Sequence, residues 1–145
     1  MEISVFNEKQ PMPEDVKNET ADFLYKHLDE FGDPREDIMK SMKFALKETD
    51  SFGGFILVGR VDGDIKGAVV VNKTGMDGYI PENILVYIAV HRDQRGKGMG
   101  KKLMQKTIDT AKGDVKLHVE PNNPAKFLYE KVGFTNKYLE MRYKK

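Results

Sequence analysis

The sequence predicts an α/β (α+β) fold, a mixed sheet with helices packed on it. Three observations predict it. Short runs are rich in β-branched and aromatic residues. Between them lie segments whose apolar residues recur at helical spacing. Glycine, proline and Asn/Asp clusters separate the two kinds of segment. The predicted order is β-α-α-β-β-β-α-β-α-β, with no internal repeat or linker. At 145 residues the chain fits one domain, 1–145, with a core large enough to hold a fold unaided.

The elements follow in order. Residues 2–7 alternate and read as a first strand, punctuated by Pro11 and Pro13. Val16, Thr20, Phe23, Leu24, His27, Leu28 and Phe31 share one helical face, and Gly32 stops that helix. Asp33, Pro34 and Glu36 have the form of an N-cap, a first-turn proline and a capping-box partner. The second helix turns Ile38, Met42, Ala45 and Leu46 inward. Residues 55–61 and 65–71 are apolar strands joined by Asp62-Gly63, a hairpin signal. Residues 72–83 form a long loop, of the kind that often carries function. Residues 84–90 are seven apolar positions in a row, which suits a strand buried on both faces. Met99, Leu103, Met104, Ile108 and Ala111 mark a helix whose other face carries Lys101, Lys102, Lys106 and Lys112. A short strand is expected over 115–119. Asn123 caps and Pro124 starts a last helix with Ala125, Leu128 and Val132 inside and Gly133 as its stop. From Phe134 through Tyr138, Leu139, Met141 and Tyr143 the pattern reads as a terminal strand.

Composition narrows the function classes. The formal net charge is +1, so no global field draws the chain to nucleic acid or membrane, and any basic site is local. There is no cysteine, which removes disulfides, thiolate metal sites and a cysteine nucleophile. The three histidines lack metal-ligand spacing, so no metal is expected. The start lacks a secretory pattern, and no apolar run approaches the ~20 residues of a membrane span. A cytoplasmic location is the expectation.

The segment between the apolar run and the basic helix carries the clearest chemistry. Gly96, Gly98 and Gly100 lie two apart, with Arg95, Lys97, Lys101 and Lys102 around them. Glycines at a strand-to-helix junction let backbone N–H groups approach a ligand, and the helix dipole is positive there. That combination binds phosphate. The spacing is neither that of a P-loop nor that of a G-x-G-x-x-G dinucleotide loop.

Residues 95–100, Arg-Gly-Lys-Gly-Met-Gly, resemble the R/Q-x-x-G-x-G/A motif of the GCN5-related N-acetyltransferases, the GNAT superfamily. Asn122, Ala125, Leu128, Tyr129, Lys131, Gly133 and Phe134 resemble its second acetyl-CoA motif, N-x-x-A-x-x-L-Y-x-K-x-G-F. The two motifs stand in family order, and the element order fits over nearly the whole chain. The resemblance implies a mainly antiparallel twisted sheet, splayed between the fourth and fifth strands. It implies acetyl-CoA in that gap, its pantetheine along Ile88, Ala89 and Val90 and its pyrophosphate on Arg95, Gly96, Lys97, Gly98, Met99, Gly100 and Lys101. Asn122 would lie near the pantetheine arm.

The same resemblance makes Tyr129 the acid, or hydrogen-bond donor, to the departing sulfur. No glutamate stands at the start of the fourth strand, where many relatives place a base; Ile84 does. His118 and Glu82 are the leading candidates for that role, with Tyr87, Glu120 and a water chain as alternatives. A histidine suits a base near neutral pH. The acceptor would be an amine-bearing small molecule or peptide, and Glu30, Asp33, Asp37, Asp77 and Glu82 are acids near its expected site. Monomer and homodimer both remain open, as does a non-catalytic acyl-CoA-binding regulatory module.

Overall fold

The structure, a computed structural model, describes residues 1–145. Its elements are β1 (Glu2–Phe6), α1 (Glu14–His27), α2 (Arg35–Ala45), β2 (Gly54–Val61), β3 (Asp64–Lys73), β4 (Asn83–Val90), α3 (Met99–Thr110), β5 (Val115–Leu117) and α4 (Ala125–Lys131). The five strands form one sheet in the order β1-β2-β3-β4-β5. The first four pair antiparallel, and β5 runs parallel to β4. The expected mixed, mainly antiparallel sheet is therefore present. The Asp62-Gly63 turn takes φ of 52° and 85°, the left-handed pair that a two-residue hairpin needs.

Helices cover both faces. On one, α1 and α2 bury Leu24, Ile38 and Met42 against Ile56, Val58 and Val70. On the other, α3 and α4 bury Leu103, Met104 and Tyr129 against Leu57, Val69 and Val71. Gly67 of β3 sets how close α3 lies. A Cβ there would sit 2.6 Å from Leu103 Cδ1 and 3.2 Å from Met99 Sδ. The bare backbone lets the start of α3 seat on the sheet.

β4 departs from the expectation of equal burial on both faces. Asn83, Leu85, Tyr87 and Ala89 are buried, while Ile84, Val86, Ile88 and Val90 are half-buried. Ile88 and Val90 lie past the reach of β5, which pairs only with Asn83, Ile84 and Leu85. Beyond Leu85 the two strands part, as the splayed sheet requires. The β3–β4 register also slips: Val70 faces Tyr87 and Val71 faces Leu85. Val86 is thus an extra residue, a β-bulge. It switches the facing of β4, so Leu85 packs with the α3–α4 cluster and Tyr87 with the α1–α2 cluster.

Sequence expectations fail in several places: the first helix ends at His27, and a 3₁₀ turn, Asp29–Phe31, fills the rest of its expected span. The strand expected over 115–119 ends at Leu117, where the chain leaves β4, and no terminal strand forms after Phe134. Tyr138, Leu139, Met141 and Tyr143 are 78–90% exposed. A three-residue β5 is too short an edge to template a longer strand. Asp33 is not the cap of α2 either. Pro34 holds that position without a side-chain cap bond, and the Asp33 carboxylate is engaged elsewhere.

Candidate active site

The strand-to-helix junction forms an open cradle of donors. A 3₁₀ turn, Arg92–Gln94, leads from β4 to the glycines, and His91 Nδ1 accepts from the Asp93 amide at 3.2 Å. Gly96 and Gly98 take φ of 77° and 82°, and a Cβ on either would meet nothing within 4 Å. Their requirement is conformational. Gly100 serves packing instead: its Cβ would stand 3.0 Å from Leu128 Cδ2 of α4. The first backbone donor within α3's own ladder is Lys102, which bonds Gly98 O at 3.1 Å. The amides of Gly96, Lys97, Gly98, Met99, Gly100 and Lys101 therefore donate to nothing in the protein. Uncompensated donors at a helix start, with exposed Lys97 and Lys101 alongside, have the chemistry to hold an anion.

Arg95 has a different part. Its Nε donates to Val90 O at 3.1 Å, and Nη2 reaches His27 O at 3.4 Å and Asp29 Oδ2 at 3.5 Å. The guanidinium pins the cradle to the end of α1. The neighbouring histidines are packed together, with the His27 and His91 rings 4.4 Å apart. Burial, then the neighbouring His91, lowers the His27 pKa, so that ring favours the neutral form.

The open edge of β4 supplies a second set of backbone groups. The His91 amide bonds Lys66 O of β3 at 2.8 Å. By antiparallel alternation Ala89 and Tyr87 also face β3, and Ile88 and Val90 direct their N–H and C=O into the gap. Arg95 occupies the Val90 carbonyl; the Ile88 and Val90 amides stay free for a ligand.

A cavity of about 420 Å³ fills the splay. Residues 28 and 30–33 wall one side, residues 84–88 of β4 run through it, and residues 117–120 and Tyr129 wall the other. His118 and Glu120 are on this lining; Asn122 is not, though its neighbour Asn123 is. Asn123 Oδ1 accepts from the Ala125 amide at 2.9 Å and so caps α4, as its sequence position suggests.

Tyr129 is held firmly. Phe134 N bonds Tyr129 O and Gly133 N bonds Glu130 O, the two bonds of a Schellman motif. The Tyr129 and Phe134 rings pack at 6.2 Å across it. The side chain is 7% exposed, yet its hydroxyl bonds no protein group and is not sealed in the core, so it opens on the cavity. Burial pushes its pKa up to about 12.

Opposite stands a pair that sequence patterning did not join. The Tyr87 hydroxyl donates to Asp33 Oδ2 at 2.5 Å, across 54 positions of chain. Burial first, then the Asp33 carboxylate, raises the Tyr87 pKa well above that of a free phenol, so it stays a donor. The bulge at Val86 turns Tyr87 toward this face, and a register slip leaves no mark in residue spacing.

Glu82 lies outside the cavity lining. Its Oε1 accepts from the Asp114 amide at 2.9 Å, and its side chain lies over Gly113. Backbone donors, Asp114 first, lower its pKa. A carboxyl with a depressed folded pKa adds stability above its unfolded value, which is lost as pH falls through the folded one. Glu82→Gln should therefore lower the thermal midpoint at pH 7, and the gap to the parent should close toward pH 4 and below. Its kcat should stay near the parent's. A large loss of kcat in this variant would return Glu82 to the chemistry.

Residues 15–134 match the family model described as the acetyltransferase (GNAT) family. A 5-NmdU N-acetyltransferase of Pseudomonas phage PaMx11 is 31% identical over 84 residues, which span 57% of this chain and 58% of that relative. Two solved structures share the fold. One is a ribosomal-protein-alanine N-acetyltransferase from Brucella melitensis biovar Abortus 2308, with TM-score 0.66, 21% identity and 99% of each chain covered. The other is the aminoglycoside N-acetyltransferase AAC(6')-Iy in complex with CoA, with TM-score 0.71, 18% identity and 99% and 95% covered.

Proposed function

We propose, from the premise that this chain belongs to the GNAT acetyltransferase family, that it moves an acetyl group from acetyl-CoA to a primary amine by direct attack in a ternary complex. The observation that carries the reading is the row of six unpaired amides at 96–101 beside the open edge of β4. The amides of 96–101, with Lys97 and Lys101, bind the pyrophosphate. The Ile88 and Val90 amides bind the pantetheine arm and the thioester carbonyl, where negative charge grows as the amine attacks. The amine nitrogen bonds to the carbonyl carbon, and the carbon–sulfur bond breaks. The Tyr129 hydroxyl donates a hydrogen bond to the departing sulfur. The amine's proton leaves through His118, which lines the cavity, or through water to solvent.

Glu82 drops out of this reading because of its structural bond to Asp114. Asn122, next to Asn123 of the cavity lining, stands near the pantetheine arm in this reading. No helix is long and apolar enough to cross a membrane. Incubation with acetyl-CoA and a panel of primary amines should release free thiol in step with an N-acetylated product seen by mass spectrometry. Tight CoA binding with no thiol release from any amine would instead identify a non-catalytic acyl-CoA-binding module.

A further inference from the structure

We infer that Asp33 and Glu30 hold a second, non-reacting cationic group of the acceptor, so the acceptor is a di- or polyamine. This rests on the acetyl-transfer reading above. Acids line both walls of the cavity. Glu30 and Asp33 line it from the α1–α2 connection, and the lysines of the glycine loop stand outside it. Glu120 adds a carboxylate on the far wall. The single cation of the lining, Arg142, is paired with Glu140.

Asp33 is a fixed point on this wall. The buried Tyr87 hydroxyl holds Oδ2, and Oδ1 has no partner in the protein. The independent sign of a ligand is Tyr129, more than nine-tenths buried, with its hydroxyl unbonded and open to the same cavity. Tyr87 and Tyr129 approach the gap from opposite faces of the sheet, through the two separate core clusters. The second cationic group is thereby placed on the Asp33 side of the gap and the thioester on the Tyr129 side.

Chemistry decides which nitrogen the carboxylates hold. A free alkylamine titrates near 10.4 and attacks only when deprotonated. A carboxylate in contact favours the charged form and raises that value further. Holding the reacting nitrogen on Asp33 would suppress the nucleophile. Holding a second ammonium there adds a charge-assisted contact and leaves the reacting amine free. Tyr87 is then a positioning residue, since it acts through Asp33.

The test compares 1,5-diaminopentane and spermidine with n-pentylamine as acceptors, using the full chain and acetyl-CoA. The diamine should exceed the monoamine in kcat/KM by roughly tenfold to a hundredfold, mostly through KM. In Asp33→Asn that preference should collapse toward unity, and Glu30→Gln and Tyr87→Phe should reduce it in part, again through KM. Equal kcat/KM for the two acceptors, or a preference that survives Asp33→Asn, overturns the inference while acetyl transfer stands. No turnover of any of the three beside acetylation of another primary amine overturns the inference alone, and acetyl-CoA binding with no turnover of any amine overturns the inference and the acetyl-transfer reading together.

Discussion

Tyr129→Phe is expected to lower kcat by roughly tenfold to a hundredfold while leaving the Kd for acetyl-CoA near the parent value. The magnitude follows from the hydroxyl's environment. Burial pushes its pKa up to about 12. An ordinary thiol titrates near 8.5, so complete proton transfer to the leaving thiolate is uphill by roughly 5 kcal/mol. In the proposed reaction Tyr129 is therefore a hydrogen-bond donor to developing charge, a contact that contributes about 1.5–3 kcal/mol. It also stays protonated through pH 10, so the parent and Tyr129→Phe should share the shape of their pH profiles below that point. Single-turnover kinetics across pH 6–10, with calorimetric Kd values, separates the two effects. Equal loss of kcat and affinity would make Tyr129 a packing residue. An alkaline limb present only in the parent would mean that its proton is transferred.

Gly96→Val/Gly98→Val is expected to weaken acetyl-CoA binding by roughly a hundredfold with little change in thermal midpoint. Both positions are left-handed, at a cost of about 1–2 kcal/mol for each side chain added. Nothing packs within 4 Å of either added Cβ, so no contact holds the strained loop in place. The backbone flips to an allowed conformation, and the amides of 96–98 turn away from the pyrophosphate. The stability of the fold lies in the clusters beneath, which these residues do not touch. Gly100→Val should behave differently. Its Cβ would press Leu128 at 3.0 Å, so it should lower the thermal midpoint as well as affinity.

The contrast among these glycines shows what the sequence could and could not reveal. Their spacing located the cradle between β4 and α3. It gave no sign that Gly100 packs against α4, because that depends on where a distant helix lands. The same limit applies to the site's charged groups. Asp33 had a cap's sequence signature, yet Tyr87 takes its carboxylate, since a buried phenol's need for an acceptor outweighs an exposed cap. Arg95 fitted a phosphate-binding motif, and its side chain instead ties β4 to the end of α1. Periodicity did locate the four helices and five strands, whose apolar patterns match the faces they bury. It failed at the C-terminus, where Tyr138, Leu139, Met141 and Tyr143 look like strand but have no edge to join. A pattern describes a strand's faces and not its partner.

Calorimetric titration of the chain with acetyl-CoA, beside desulfo-CoA and ATP, bears most directly on the cradle at 96–101 and the open edge of β4. Micromolar binding of acetyl-CoA and desulfo-CoA, with ATP far weaker and Gly96→Val/Gly98→Val impaired for both CoA ligands, is the expected result. Equal affinity for ATP, or CoA binding indifferent to the double variant, would contradict it.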